Sequence, residues 1–304
     1  DIADLDVVYL SYDEPKKEEF WIKIQNMVPW AKRVDGVKGS DAAHKAAADA
    51  SDTDRFVLID GDNIPDSEFF NLQLNLDDST NSKVFRWKAR NIINGLQYGN
   101  GGMSCWTKEF VYNMRTHEAS DASAANDVEF CFYPNYYAMH DCYSTTYPNA
   151  SEFQAWRAGF REGVKMCLNK GARPTIAQFQ DLVHHRNLDH LTIWHNVGRD
   201  VENGIWAIVG SRMGTYMTMI TPTWDYRQVQ SFDALADLWE TIKESNPEIL
   251  AGRVADDLVT QLDLPINMLN AEESRFFKHH YRSNWNNLGV MVRELDVIRA
   301  QEGW

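Results

Sequence analysis

Long apolar runs are missing from these 304 residues. No stretch approaches eighteen consecutive hydrophobic side chains, which excludes a conventional membrane-spanning helix. The first residues, Asp1-Ile2-Ala3-Asp4, have neither the basic start nor the apolar run of a secretory signal, so a soluble, cytoplasmic protein without a membrane partner is expected. Cysteine is scarce. The four cysteines, Cys105, Cys131, Cys142 and Cys167, form no CxxC pair, which removes the usual zinc spacing and points to reduced thiols rather than a disulfide framework. Positive charge is also in deficit: 30 Lys and Arg against 44 Asp and Glu give a net charge of −14. A field of that sign repels nucleic acids and anionic membranes, so any polyanion must meet a local basic patch.

What is present is the composition of a folded enzyme. Hydrophobic residues make up 44% and charged residues 24%, and the chain is long enough to bury a large core. Residues 5–12 form an apolar, β-branched run of strand length that ends in a turn-like Asp13-Glu14-Pro15. Phe20, Ile24 and Met27 then recur at helical spacing and stop before Pro29. A short strand over 31–34 leads through Gly36-Val37-Lys38-Gly39 into an alanine-rich helix ending near Ala50, with Ser40 or Asp41 as its cap. Residues 56–59 supply another buried strand, which runs directly into Asp60-Gly61-Asp62-Asn63. This alternation is the pattern of an open parallel α/β sheet, whose ligands gather beyond the carboxyl ends of the strands.

Further along, residues 128–133 and Trp206-Ala207-Ile208-Val209 read as strands. Residues 232–244, 254–262 and 286–301 read as helices. The division implied is an α/β catalytic domain over 1–220 and a mainly helical extension over 221–304.

Two aspartates one residue apart at a strand end can approach one hard cation, Mg²⁺ or Mn²⁺, and Gly61 lets the backbone come close. The bland alternative is a pair of turn-capping acids. Two basic faces are candidates for phosphate contact. Arg86, Lys88 and Arg90 alternate with Phe85, Trp87 and Ala89 along a strand, while Arg157, Arg161 and Lys165 recur every four residues along a helix. Either set could equally be a solvated surface.

Val8-Tyr9-Leu10-Ser11-Tyr12-Asp13-Glu14, Lys38-Gly39 before the alanine-rich helix, and Phe56-Val57-Leu58-Ile59-Asp60-Gly61-Asp62 together resemble the nucleotide-sugar glycosyltransferases of the GT-A fold, in particular the inverting family-two type. The resemblance implies a Rossmann-like mixed sheet flanked by helices and a UDP-sugar donor. By position, Leu10, Ser11, Tyr12 and Asp13 would touch base and ribose. Lys38, Gly39 and Gly61 would line the donor site, and Asp60 and Asp62 would hold sugar-nucleotide and metal. Arg90-Asn91, residues 98–102, residues 154–166 and Gly198-Arg199-Asp200 are similar to phage glycosyltransferases that act on hydroxymethylated pyrimidines, which implies modified DNA as acceptor and the host cytoplasm as location.

Direct displacement at an anomeric carbon needs a base beside the acceptor hydroxyl. Asn126-Asp127-Val128-Glu129 occupies the place of the family's catalytic carboxylate in a different order, so Asp127 or Glu129 could serve, with Glu118 and Asp121 as further candidates. GT-A enzymes often add a C-terminal histidine to the metal shell; of His184, His185, His190 and His195, the last is the choice here. The glycines of 98–102 suit either an acceptor lid or a turn between strands.

Overall fold

A computed structural model describes residues 1–98, 102–114, 136–221 and 223–280. They divide into two compact units, residues 1–92 with 97–147, and residues 93–96 with 148–304. The strand expected over 128–133, the helix over 286–301 and Cys131 lie outside the described residues.

In the first unit the sequence pattern is realised closely. The apolar run becomes β1 (Asp6–Ser11), followed by α1 (Lys17–Met27), β2 (Lys32–Asp35), α2 (Ser40–Ala50) and β3 (Arg55–Asp60). Neither expected residue caps α2: Gly39 does, at φ +93°, a conformation that favours glycine, and Asp41 sits in the first turn. Next come β4 (Asn63–Pro65), β5 (Val84–Asn91), β6 (Gln97–Tyr98), β7 (Met103–Thr107), α3 (Lys108–Asn113) and β8 (Tyr136–Thr146).

These strands form one sheet in the order β2-β1-β3-β7-β5-β8-β4, with β6 paired to β5. Strands β2, β1 and β3 are parallel, as the βαβ pattern requires. Antiparallel β7 then joins β3 to β5, and β5 pairs parallel with β8, so the sheet is mixed rather than purely parallel. Both faces are covered. Val7, Tyr9, Val57, Ile59 and Trp87 pack with Phe20 and Ile24 of α1, whereas Val8, Phe56, Leu58 and Trp106 pack with Ala47 and Ala48 of α2 and Val111 of α3. A mixed α/β sheet flanked by helices, expected from the resemblance, is the fold of this unit.

The described part of the second unit is helical: α4 (Glu152–Met166), α5 (Phe179–Leu182), α6 (His185–Asn196), α7 (Gly204–Met219), α8 (Phe232–Glu240), α9 (Pro247–Arg253), α10 (Ala255–Leu262) and α11 (Ala271–His280). Ser151 caps α4 by accepting from Gln154 N at 3.1 Å. Trp206 to Val209 lie inside α7, not in a strand. Trp206, Ala207, Ile208 and Val209 are all buried there, so the helix has no polar stripe from which its period could be read. No described helix is long and apolar enough to cross a membrane.

Candidate active site at the carboxyl edge of the sheet

Parallel pairing sets Leu10 beside Asp60 and Ser11 beside Asp35, so the ends of β1, β2 and β3 open on one edge. Asp60-Gly61-Asp62 turns away from this edge. The turn is anchored on both sides. Asp60 N donates to Gly102 O at 2.7 Å, and Tyr147 N donates to Asp62 O at 2.8 Å. From below, the buried Tyr9 hydroxyl donates to Gly61 O at 2.7 Å, with Lys17 O a second acceptor at 3.2 Å.

Glu14 closes over the turn. A Cβ on Gly61 would stand 2.5 Å from Glu14 Oε2, and that same oxygen accepts from Tyr12 N at 2.7 Å. Three carboxylates thus converge. Burial, then the charge of Asp62, then that of Glu14, push the Asp60 carboxyl up to about 7. Because Asp60 is exposed at the strand end, water tempers the first effect, and the two like charges are the part that a cation would reverse.

This rise fixes a sign. Between pH 3.8 and about 7 the folded chain keeps a proton on Asp60 that the unfolded chain releases, so stability falls as pH rises through that window. Asp60→Asn removes the effect. With divalent cations chelated, its melting temperature should exceed that of the parent by more at about pH 8 than at about pH 5; an equal offset at both would show that the like charges do not act on Asp60.

Beside the turn, Ser11 is buried, whereas Tyr12 and Asp13 are exposed, Leu10 is half-buried, Lys38 is exposed and Gly39 is half-buried. Ser11 Oγ donates to Asp35 Oδ1 at 2.7 Å, and Lys17 Nζ bonds both Asp35 oxygens at 2.8 and 3.0 Å and Tyr12 O at 2.7 Å. Burial opposes ionisation of Asp35, but the Lys17 and Ser11 hydrogen bonds outweigh it and hold the carboxyl below its usual value. Arg33 donates from Nε to Ser11 Oγ at 3.2 Å and grips Glu18 with both Nη groups at 2.7 Å. The loop after β1 is therefore held by charge. Tyr9, Glu14, Lys17, Arg33 and Asp35 were not read as site residues from the sequence, although Tyr9 and Glu14 lie within the motif quoted above.

The other expected residues are distributed as follows. Arg86, Lys88 and Arg90 do alternate with buried Phe85, Trp87 and Ala89 on β5. Arg157 and Arg161 of α4 stack on the Phe232 ring at 4.8 and 5.5 Å, and Lys165 pairs with Glu162 at 2.6 Å. His195 is wholly buried in α6, with Nε2 3.0 Å from Thr215 Oγ1. Thr215 Oγ1 lies 3.2 Å from Gly163 O as well, so the ring is tied into the contact between α6, α7 and α4. Burial, then the Arg212 charge, lower its pKa to about 3, which keeps the ring neutral. Asp127, Glu129, Glu118 and Asp121, and most of the 98–102 loop, lie outside the described residues.

Among the described residues no three His, Cys, Asp or Glu side chains are arranged to hold a metal ion by themselves. Two carboxylates at one turn still suit Mg²⁺ or Mn²⁺, which take one or two protein carboxylates and complete their shell with phosphate oxygens and water.

No protein-family profile matches the chain, and no curated protein matches it. Among solved structures, HddC from Yersinia pseudotuberculosis is similar over 46% of this chain and 71% of its own, at 15% identity and a TM-score of 0.29. A glycosyltransferase involved in the glycosylation of the major capsid of PBCV-1 is similar over 48% of this chain and 94% of its own, at 11% identity and a TM-score of 0.31. Likeness at that level decides neither fold nor chemistry. The fold assignment stands on strand order and register.

Proposed function

We propose that the chain is a metal-dependent nucleotide-sugar glycosyltransferase whose donor lies along the carboxyl edge of β1 and β3. One observation carries the reading: Asp60, Asp62 and Glu14 converge at the end of a parallel strand, where burial, then the like charges of Asp62 and Glu14, raise the Asp60 carboxyl to about 7, and the like charges create a demand for a cation. Asp60 and Asp62 would hold Mg²⁺ or Mn²⁺, and the ion would stabilise the negative charge that grows on a departing diphosphate. His195 is left out of this shell because its whole ring is buried inside a helical pack. Leu10, Ser11, Tyr12, Asp13, Lys38 and Gly39 are proposed to meet the base and ribose, with UDP as the nucleotide. Residues 1–220 would supply the catalytic domain. Asp127 or Glu129 would take the acceptor proton.

For the acceptor, the resemblance favours the hydroxymethyl group of a modified pyrimidine in phage DNA, met by the basic stripe of β5. A second reading, a glycan, lipid or protein acceptor, is favoured by the net charge of −14 and by the internal partners of Arg157, Arg161 and Lys165. Binding to DNA that weakens steeply with salt separates the two.

The donor reading is tested by melting the chain with a panel of nucleotides, with and without Mn²⁺. UDP at about one hundred times its Kd should add ~2.7 kcal/mol of stability only when metal is present, and Asp62→Asn should abolish the metal-dependent part. Stabilisation by no nucleotide would overturn the proposal.

A further inference from the structure

The strand register places a second set of charges on the Asp60 face of the sheet. Leu58 pairs with Ser104, and Ser104 pairs with Arg86. Paired residues of adjacent strands share a face, so period two carries Asp60 of β3 and Lys88 and Arg90 of β5 to that same face. Burial agrees, since Trp87, Ala89 and Asn91 are buried while Lys88 is half-buried and Arg90 exposed. Direction matters as much as face. Strand β7 is antiparallel to both β3 and β5, so the carboxyl ends of β3 and β5 open on one edge. Asp60 and Arg90 therefore stand at the same edge and on the same face; Lys88 is level with Asp60 and Arg90 lies two residues further along, so the two are roughly 12 Å apart in the plane of the sheet.

Arg90 is also aimed. It pairs with Gln97 of β6, and with its amide oxygen turned to the guanidinium Gln97 accepts from Nε and Nη2, both at 3.2 Å. The Nη1 end of the fork then points away from Gln97. A neutral amide orients the cation without cancelling its charge, unlike the carboxylate partners of Arg33 or Lys165. A planar fork of N–H donors suits a phosphate.

We propose that Arg90, positioned by Gln97 and supported by Lys88, is the phosphate-binding flank of the Asp60–Asp62 site. The inference rests on the reading that this edge takes a metal-bound donor diphosphate, and it assigns the opposite side of that group. The phosphate can come from the donor diphosphate or from a phosphodiester of the acceptor.

Calorimetric titration of the full chain distinguishes these sources, using Mn²⁺-UDP, inorganic pyrophosphate and a short single-stranded oligonucleotide as probes. Arg90→Gln should weaken the relevant probe about tenfold or more, and Arg90→Lys, which keeps the charge but loses the fork, should fall between. Loss of UDP and pyrophosphate affinity with the oligonucleotide unchanged assigns the donor. Loss of oligonucleotide affinity alone, with the salt slope reduced by about 1, assigns the acceptor. Gln97→Leu should weaken the same probe, yet add little on top of Arg90→Gln, as expected for a residue that acts through Arg90.

Unchanged affinity of Arg90→Gln for all three probes would overturn the inference while leaving the glycosyltransferase reading intact. Pyrophosphate binding that depends on Arg90, without any nucleotide binding, would do the reverse. A parent chain that binds none of the probes would overturn both.

Discussion

Replacing Gly210 with alanine is expected to unfold the helical unit or to cost it about 3 kcal/mol or more, although alanine is the better helix former by ~1 kcal/mol. The reason is the approach of two backbones. A Cβ at Gly210 would stand 2.0 Å from Trp156 O, and one at Gly214 would stand 2.3 Å from Phe160 O. On the facing helix, a Cβ at Gly159 would meet Ala207 O at 1.9 Å and one at Gly163 would meet Ser211 O at 2.2 Å. Contacts climb both helices together, so α4 and α7 run parallel with glycines interleaved every four residues. Main-chain carbonyls cannot rotate away as a side chain can. To admit one methyl group the helices must separate, and Trp156, Phe160, Trp206 and Val209 are all buried around the contact. Gly252 of α9 is the control, since a Cβ there meets nothing within 4 Å; Gly252→Ala should stabilise by about 0.5–1 kcal/mol. Denaturant unfolding followed by tryptophan fluorescence compares the two, and equal midpoints for Gly210→Ala and the parent would refute the packing argument.

This helix pair also marks where sequence reading stops. Strands β1 and β3 are legible because apolar, β-branched runs end abruptly in Asp13-Glu14-Pro15 and Asp60-Gly61-Asp62, and α1 because Phe20 and Ile24 fall on one face. Helix α7 is misread at Trp206 to Val209 because burial on every side erases the amphipathic period, and its glycines look like breakers when they are contact points. The mixed order of the sheet is illegible for another reason. Placing β7 between β3 and β5 depends on pairings between residues some fifty positions apart, such as Val57 with Cys105, and no local pattern encodes them.

The candidate site divides in the same way. Asp60 and Asp62 declare themselves by spacing and position. Tyr9 reads as one more apolar strand residue until the register brings its hydroxyl to Gly61 O. The alternation of Arg86, Lys88 and Arg90 is plain in the sequence, yet their sharing a face with Asp60 requires the strand order. Conversely, the spacing of Arg157 and Arg161 is that of one helix face, but the ring that occupies them, Phe232, comes from a distant segment.

Arg212→Met is the second substitution expected to act severely, by about 3–5 kcal/mol. Arg212 is 1% exposed. Its Nε donates to His195 O at 2.9 Å, Nη1 to Ala251 O at 3.0 Å and Met268 Sδ at 3.1 Å, and Nη2 to Asn267 O at 3.1 Å. One side chain on α7 thus ties down the end of α6, helix α9 and the segment before α11. Burial, then the neighbouring charge of Arg199, lower its pKa to about 10, so it stays ionised at neutral pH. A buried charge can sometimes be exchanged for an apolar side chain without loss, provided every member of the network is replaced. That escape is closed here, because the main acceptors are main-chain carbonyls that no substitution removes. Methionine fills much of the volume and relieves the desolvation of the charge, but it strands three carbonyl oxygens at ~1–3 kcal/mol each. Arg212→Lys keeps the charge and loses the fork, so it should fall between the parent and Arg212→Met. Urea midpoints in that order support the account; an Arg212→Met chain as stable as the parent would show that the carbonyls find other donors and that the arginine is dispensable to the fold.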